Sequence, residues 1–205
     1  MTDRYTAYGI ETEFEPGSDG LVLRNKLGIT ESEEMDELEA VLLEKLYRLV
    51  LIDDFPDRAL TVADLLRWHR QWLGNVYAWA GELRSVNLGK ADIQFAAAAQ
   101  IPRLLEEFEQ QCLQQFTPCN DLSPEELVNA LAVTHVELIL IHPFREGNGR
   151  LARLLADAMA VQAGVGPLDY SSWDANRTRY FAAIQHGLAQ DYAPMTELMR
   201  IALFP

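Results

Sequence analysis

The sequence predicts an all-α protein that carries one small β-hairpin. Three observations predict it. Apolar residues recur at helical spacing along most of the chain. A Ser or Thr with an acid three residues on precedes three of those runs. Only the stretch from Arg84 to Phe95 alternates in the two-residue rhythm of a strand.

In chain order, residues 1–29 hold Pro16, Gly17, Gly20 and Gly28 with little periodicity, and read as an irregular N-terminal segment. Thr30 with Glu33 forms a capping-box pattern that opens a helix through Leu38, Leu42, Leu46 and Leu49, which DDFPDRA breaks. Thr61 with Asp64 opens a second, through Leu65, Trp68, His69 and Trp72. Near 84–95, SVNL alternates, GKAD turns and IQF is β-prone, which reads as a hairpin flap. An amphipathic helix follows over about 98–116. Ser123, Pro124 and Glu126 then start a helix that stays apolar to Ile141 and should lie at the buried centre. HPFREGNG interrupts it, a helix resumes over 148–163 and stops at Gly164, and helices fit 174–190 and 194–203. No repeat, low-complexity run or long linker divides residues 30–205, so they read as one helical domain.

Composition narrows the function. Of 205 residues, 49% are hydrophobic and 23% charged, ordinary for a soluble globular protein. The net charge of −14 should repel nucleic acid and anionic membrane, so neither is an expected partner. No stretch approaches the roughly 18 apolar residues of a membrane span, and the first residues lack the apolar core of a signal peptide. Cys112 and Cys119 match no common metal or redox spacing and read as reduced thiols. The expected location is the cytoplasm.

The chemistry concentrates between His142 and Arg153. Gly147 and Gly149 flank Asn148 just before a helix, where glycine lets backbone approach a ligand and the helix N-terminus attracts anions. Arg150 and Arg153 share a helix face and suit phosphate oxygens. Glu146 stands where one carboxylate beside a polyphosphate could hold a water-rich Mg²⁺. His142, with an ordinary pKa of about 6.5, suits general-base work. Phe144, apolar within a polar loop, reads as the loop's anchor. From His142 to Tyr180 five arginines face four acids, so this stretch is +1 while the rest of the chain carries −15.

HPFREGNGR, with a second arginine three residues on, resembles the full signature of the Fic family: HPF, any residue, an acid, GN, Gly or Lys, then Arg. The segment at 84–95 resembles the family's target-docking hairpin, and EPGSDGLVLRNKLGI is similar to the N-terminal part of short bacterial Fic toxins. The resemblance covers about residues 16–200, most specifically in the motif. It implies a protein adenylyltransferase that moves AMP from ATP to a hydroxyl of a target protein and releases pyrophosphate. In that reading His142 deprotonates the hydroxyl and Glu146 holds Mg²⁺ against the α- and β-phosphates. Asn148, with the N–H groups of Gly147 and Gly149, cradles the phosphates beside Phe144. Arg150 and Arg153 bind the β- and γ-phosphates, Asn176 and Tyr180 fall where the family contacts the base, and Lys90 to Phe95 align the target by strand addition.

Other readings are weaker. A helix–loop–helix turn with surface arginines does not need every motif position filled. A silent nucleotide-binding relative has no use for both His142 and Glu146. His135 and Glu137 lack the H-E-x-x-H spacing of a metal hydrolase, and His135 reads as a core histidine. The Trp residues 68, 72 and 79 read as packing, and ESEEMDELE as a solvated acidic helix face, with docking of a basic partner as its alternative. Doc-type phosphorylation goes with Ala-Asn-Lys where this chain has Gly-Asn-Gly; other nucleotidyl donors stay open. Many Fic proteins are restrained by a glutamate that pairs with the second motif arginine, carried in a pattern of Ser or Thr, three residues, Glu, then Gly or Asn. The nearest approach is Thr30 with Glu34, followed by Met35. Two readings remain, a separate small antitoxin chain or an enzyme that is unrestrained or differently restrained, and the toxin-like N-terminal part favours the first.

Overall fold

The computed structural model describes residues 6–8, 13–90 and 93–204. The elements follow in this order: strand β1 (Thr6–Tyr8), α1 (Ser32–Arg48) running into a π-helical turn (Leu49–Asp53), and α2 (Val62–Leu73). Then come β2 (Asn87–Lys90), β3 (Ile93–Gln94), and α3 (Ile101–Phe108), which continues through a π-helical turn (Glu109–Leu113) into α4 (Gln114–Phe116). The chain ends with α5 (Pro124–Ile141), α6 (Asn148–Gln162), α7 (Ser171–Ala175), α8 (Arg177–Gly187) and α9 (Ala193–Leu203). The helical class with a small antiparallel sheet is as expected.

The core forms around α5. This helix is buried on almost every face, from Leu127 and Val128 to Ile139 and Ile141, and packs against α3, α6, α8 and α9. An all-round apolar helix is stable only when surrounded in this way. Its start is the expected capping box: the Ser123 hydroxyl accepts from Glu126 N while the Glu126 carboxylate accepts from Ser123 N. Thr61 and Asp64 make the same reciprocal pair at α2. No helix among the described residues is long and apolar enough to cross a membrane.

Four local expectations change. The Thr30–Glu33 box does not form; α1 begins after Glu31 with no side-chain cap. Asn25 organises the entry instead, its Oδ1 accepting from Leu27 N and Ile29 N and its Nδ2 donating to Ile29 O. The helix expected over 174–190 is split at Asn176, which leaves the helical region (φ −135°) and turns its side chain to Arg179 N as the N-cap of α8. The segment before residue 30 is not wholly irregular. β1 pairs antiparallel with β2, Thr6 opposite Gly89 and Tyr8 opposite Asn87, so the flap is three-stranded in the order β1-β2-β3. An unpaired β2 edge is a template for a further strand. Phe14 and Leu23 form one more antiparallel bridge. Ala91 and Asp92, expected to close the hairpin turn, lie outside the described residues. Finally, the acidic run on α1 is not fully solvated, because Glu39 is buried.

Candidate active site

The loop between α5 and α6 is set at both ends by left-handed backbone. His142 (φ 51°) ends α5 and Gly147 (φ 83°) precedes α6. At Gly147 only glycine fits: an added Cβ would lie 2.6 Å from Trp72 Cζ3. Between them the loop is tied to itself. Asn148 Nδ2 donates to Phe144 O at 2.8 Å, and Phe144 N donates back to Asn148 Oδ1 at 2.9 Å. The Phe144 ring stacks on His69, 3.9 Å between centroids and 6° between planes. His69 in turn fixes the loop's far side. Its Nδ1 accepts from Gly81 N, so Nε2 carries the proton and donates to Glu146 O. Burial pushes His69 down to about 4, so it stays neutral.

Arg84 ties the end of α5 to the flap. Its buried guanidinium donates to His142 O, Val86 O and Ala96 O at 2.6 Å and to Ile141 O at 3.2 Å, and its own N–H donates to Pro143 O. A cation here meets the negative end of the helix dipole. Burial lowers its pKa to about 10. Ala96 N donates to Leu140 O, a second tie between the flap and the end of α5.

These ties place His142 under the flap. Phe95 stacks on its ring at 3.7 Å and 10°. Nδ1 lies 3.0 Å from Ile139 O, which can only accept, so Nδ1 carries the proton and Nε2 is the basic nitrogen. The ordinary pKa expected for this group does not hold. Burial, foremost, brings it to about 3, Arg84 and Lys90 acting in the same direction and the Ile139 carbonyl against it.

A cleft of about 690 Å³ opens beside the loop. Of the expected residues, Glu146, Gly147, Gly149, Arg150, Arg153 and Tyr180 line it, with Lys90 from the flap and Phe14 from the N-terminal segment. Four do not. Phe144 is plugged against His69, Asn148 has its amide taken by Phe144, Asn176 is an exposed helix cap, and His142 is covered by Phe95. Phe144 and Asn148 therefore hold the loop's shape, as the anchor reading of Phe144 expected.

The charged groups on the cleft wall are engaged with one another. Glu146 Oε1 accepts from Gly147 N at 2.9 Å, an N–H that the sequence reading assigns to phosphate. Burial pushes its carboxyl above the usual carboxylate range, against the pull of Arg150. Arg150 Nη2 pairs with Glu39 at 2.7 Å and stands 3.6 Å from Glu146. Arg153 Nη2 pairs with Asp174 at 2.9 Å and its guanidinium lies 4.8 Å over the Tyr170 ring. Behind it, Tyr170 donates to the buried Asp157, and Tyr180 meets His135 Nε2 at 2.9 Å. His135 is the core histidine expected.

Sequence reasoning missed Glu39, Arg84 and Asp174. Glu39 had a signal. It falls four residues after Met35 and seven before Leu46, on the apolar stripe of its helix, where an isolated carboxylate needs a partner.

This helical domain thus gathers a glycine-turned helix N-terminus, two arginines and a carboxylate around one cleft, groups of the kind that suit an anionic ligand. Residues 59–160 match the Fic/DOC family. The chain is 29% identical over 179 residues to a probable protein adenylyltransferase, y4lH, of Sinorhizobium fredii, covering 87% of this chain and 90% of the relative. It is 29% identical to a probable protein adenylyltransferase Fic of Salmonella typhimurium, covering 80% and 78%. It shares its fold, at a TM-score of 0.75 and 23% identity, with BepC of Bartonella tribocorum, solved with bound AMPPNP, over 94% of this chain and 98% of that one. The chain belongs to the Fic/DOC family.

Proposed function

We infer that the chain is a protein adenylyltransferase: it takes ATP into the cleft and moves AMP to a hydroxyl of a target protein. The observation that carries the reading is one cleft wall holding Glu146, the two motif glycines, Arg150 and Arg153, next to a histidine whose tautomer is fixed. Relatives named protein adenylyltransferases support it.

The triphosphate lies along the wall, its β- and γ-phosphates on Arg150 and Arg153, its base toward Tyr180. Bound phosphate replaces the Glu146 carboxylate at the Gly147 N–H. His142 Nε2 takes the proton of the target hydroxyl. That oxygen bonds to the α-phosphorus, the bond from the α-phosphorus to the bridging oxygen breaks, and pyrophosphate leaves with its charge on the arginines. The residues fit Mg²⁺. Among the described residues no group of three His, Cys, Asp or Glu is set up as a full metal cage. One carboxylate beside phosphates is what an ion that keeps its waters needs. Glu146 would hold it, and when bound it neutralises phosphate charge. A target strand that shifts Phe95 would return His142 to a wetter setting and raise its pKa toward neutrality. The target docks at the flap, Lys90 to Phe95. A separate small antitoxin, in the same cytoplasm, restrains the enzyme; the likeness of EPGSDGLVLRNKLGI to short bacterial Fic toxins supports this.

The test uses labelled ATP with Mg²⁺ and a cell lysate. Label on the α-phosphate should enter a target protein, label on the γ-phosphate should not, and both His142→Ala and Glu146→Ala should abolish the transfer. Transfer only from the γ position makes the protein a kinase. Full transfer by His142→Ala removes the general-base role.

A further inference from the structure

The helix that opens the domain puts one carboxylate into the cleft wall. Glu39 sits on the inner face of α1, its side chain 5% exposed against 35% for Arg150. Both carboxylate oxygens are engaged: Oε1 accepts from the Tyr77 hydroxyl at 2.6 Å, and Oε2 meets Arg150 Nη2 at 2.7 Å. The residue's backbone is held too, because Trp72 Nε1 donates to Glu39 O at 2.9 Å. The same indole lies under Arg150, whose guanidinium stands 4.5 Å from the ring centroid. Arg150 is therefore gripped at its edge by Glu39 and on its face by Trp72.

We propose that Glu39 is a positioning residue for nucleotide binding, holding Arg150 through their ion pair in the orientation from which the guanidinium meets the β-phosphate. The inference rests on the ATP reading above and adds a residue to it from outside the motif. A long arginine left to itself loses rotamer freedom, on the order of 2 kcal/mol, each time it binds; one already clamped has met that cost during folding. Glu39 cannot itself serve as a mobile lid on the arginine. Its oxygens are both paired, its backbone is anchored to Trp72, and swinging the carboxylate away would leave Tyr77 Oη buried without its acceptor. The planar fork of arginine allows one nitrogen to be held while the same plane is presented to a ligand. Glu146, farther from Arg150 at 3.6 Å and bonded to Gly147 N, does not duplicate the clamp.

The test compares ATP with AMP, which lacks the phosphates Arg150 would meet. Dissociation constants are measured by calorimetry with Mg²⁺ on the full chain, for the wild type, Glu39→Gln, Tyr77→Phe, Arg150→Ala and the double variant Glu39→Gln with Arg150→Ala. Glu39→Gln should weaken ATP about tenfold, the worth of one charge-assisted contact, and leave AMP unchanged. Tyr77→Phe, which keeps the ion pair but releases one oxygen, should weaken ATP less and in the same direction. In the Arg150→Ala background Glu39→Gln should cost no further ATP affinity, since no arginine remains to be oriented. Equal losses for ATP and AMP, or an undiminished loss in the Arg150→Ala background, would reduce Glu39 to a support of the fold and overturn the proposal. So would a Glu39→Gln protein that binds ATP as the wild type does. A wild type that binds no ATP would overturn the function proposed above and this inference with it.

Discussion

Arg150 and Arg153 stand three residues apart on α6 and face one cleft, yet the fold holds them differently. Arg150 is clamped by a carboxylate that is 5% exposed, Arg153 by Asp174, which is 55% exposed. Glu39 comes from a 17-residue helix and is fixed by Tyr77 and Trp72; Asp174 comes from a 5-residue helix. Aromatic faces support both guanidinium groups, Trp72 for one and Tyr170 for the other. A buried pair is held because breaking it strands a charge, whereas an exposed pair exchanges partners at little cost. In the proposed ATP complex, one wall thus carries a rigid phosphate contact beside one that can swap a carboxylate for a phosphate.

The largest effect expected of a substitution at neutral pH probes the rigid side. Gly147→Ala forces a Cβ to within 2.6 Å of Trp72 Cζ3 at a φ of 83°, so it disturbs the indole under Arg150. Urea unfolding should show a loss of about 2–3 kcal/mol. Gly149→Ala, where a Cβ meets nothing within 4 Å inside a helix, should be neutral or stabilising by up to about 1 kcal/mol. Similar losses at both glycines would mean that the Trp72 contact is not what makes the Arg150 side rigid.

The flexible and rigid sides were not equally legible. HPFREGNGRLAR carried its own context: two glycines, a helix start and two arginines at helical spacing announce the cleft wall within twelve residues. The boxes at Thr61 and Ser123 were readable because both partners lie within one turn. Glu39 was hidden among exposed acids of its own helix, and its partner Arg150 lies more than a hundred residues away. Arg84 looked like the first residue of a hairpin, though its four carbonyl partners come from two segments that meet only in the fold. β1 was missed because pairing to β2 depends on an open edge rather than on alternation within TAY. The break at Asn176 was missed because helical periodicity resumes immediately after it. Motif and local capping are sequence-near; what fixes the motif's side chains is not.

A further effect comes from pH, and each side of the wall has its own histidine. His69 backs the Glu146 loop and His135 backs Tyr180, with folded pKa values lowered by burial to about 4 and about 3; His142 is likewise at about 3. Unfolded histidine takes up a proton near pH 6.5. Because the folded values are depressed, the stabilisation is present in full above pH 6.5 and is lost as pH falls toward the folded values, where the unfolded chain holds more protons. Unfolding free energy should fall by roughly 1.4 kcal/mol per pH unit for each of the three between about pH 6 and pH 4. His69→Gln and His135→Gln should each remove one histidine's share of that slope. A slope unchanged by His135→Gln would show the Arg153 side to be open to water as far as Tyr180, and the contrast between the sides would extend deeper than the ion pairs.

The smallest effect tests the contrast most directly. Asp174→Ala removes an exposed partner, so stability should change by less than about 1 kcal/mol. ATP affinity should nevertheless rise, by about threefold at low salt, because Arg153 no longer has to release a carboxylate before it meets phosphate. AMP, which does not reach Arg153, should bind as before, and the gain should shrink as salt screens the exposed pair. Asp174 already accepts both Arg153 contacts, at 2.9 and 3.5 Å, so the competition is for the same face of the guanidinium. If Asp174→Ala instead weakens ATP, Asp174 orients Arg153 as Glu39 is proposed to orient Arg150, and burial no longer separates the two arginines. The size of the change relative to Glu39→Gln then measures how much of an arginine clamp depends on being buried.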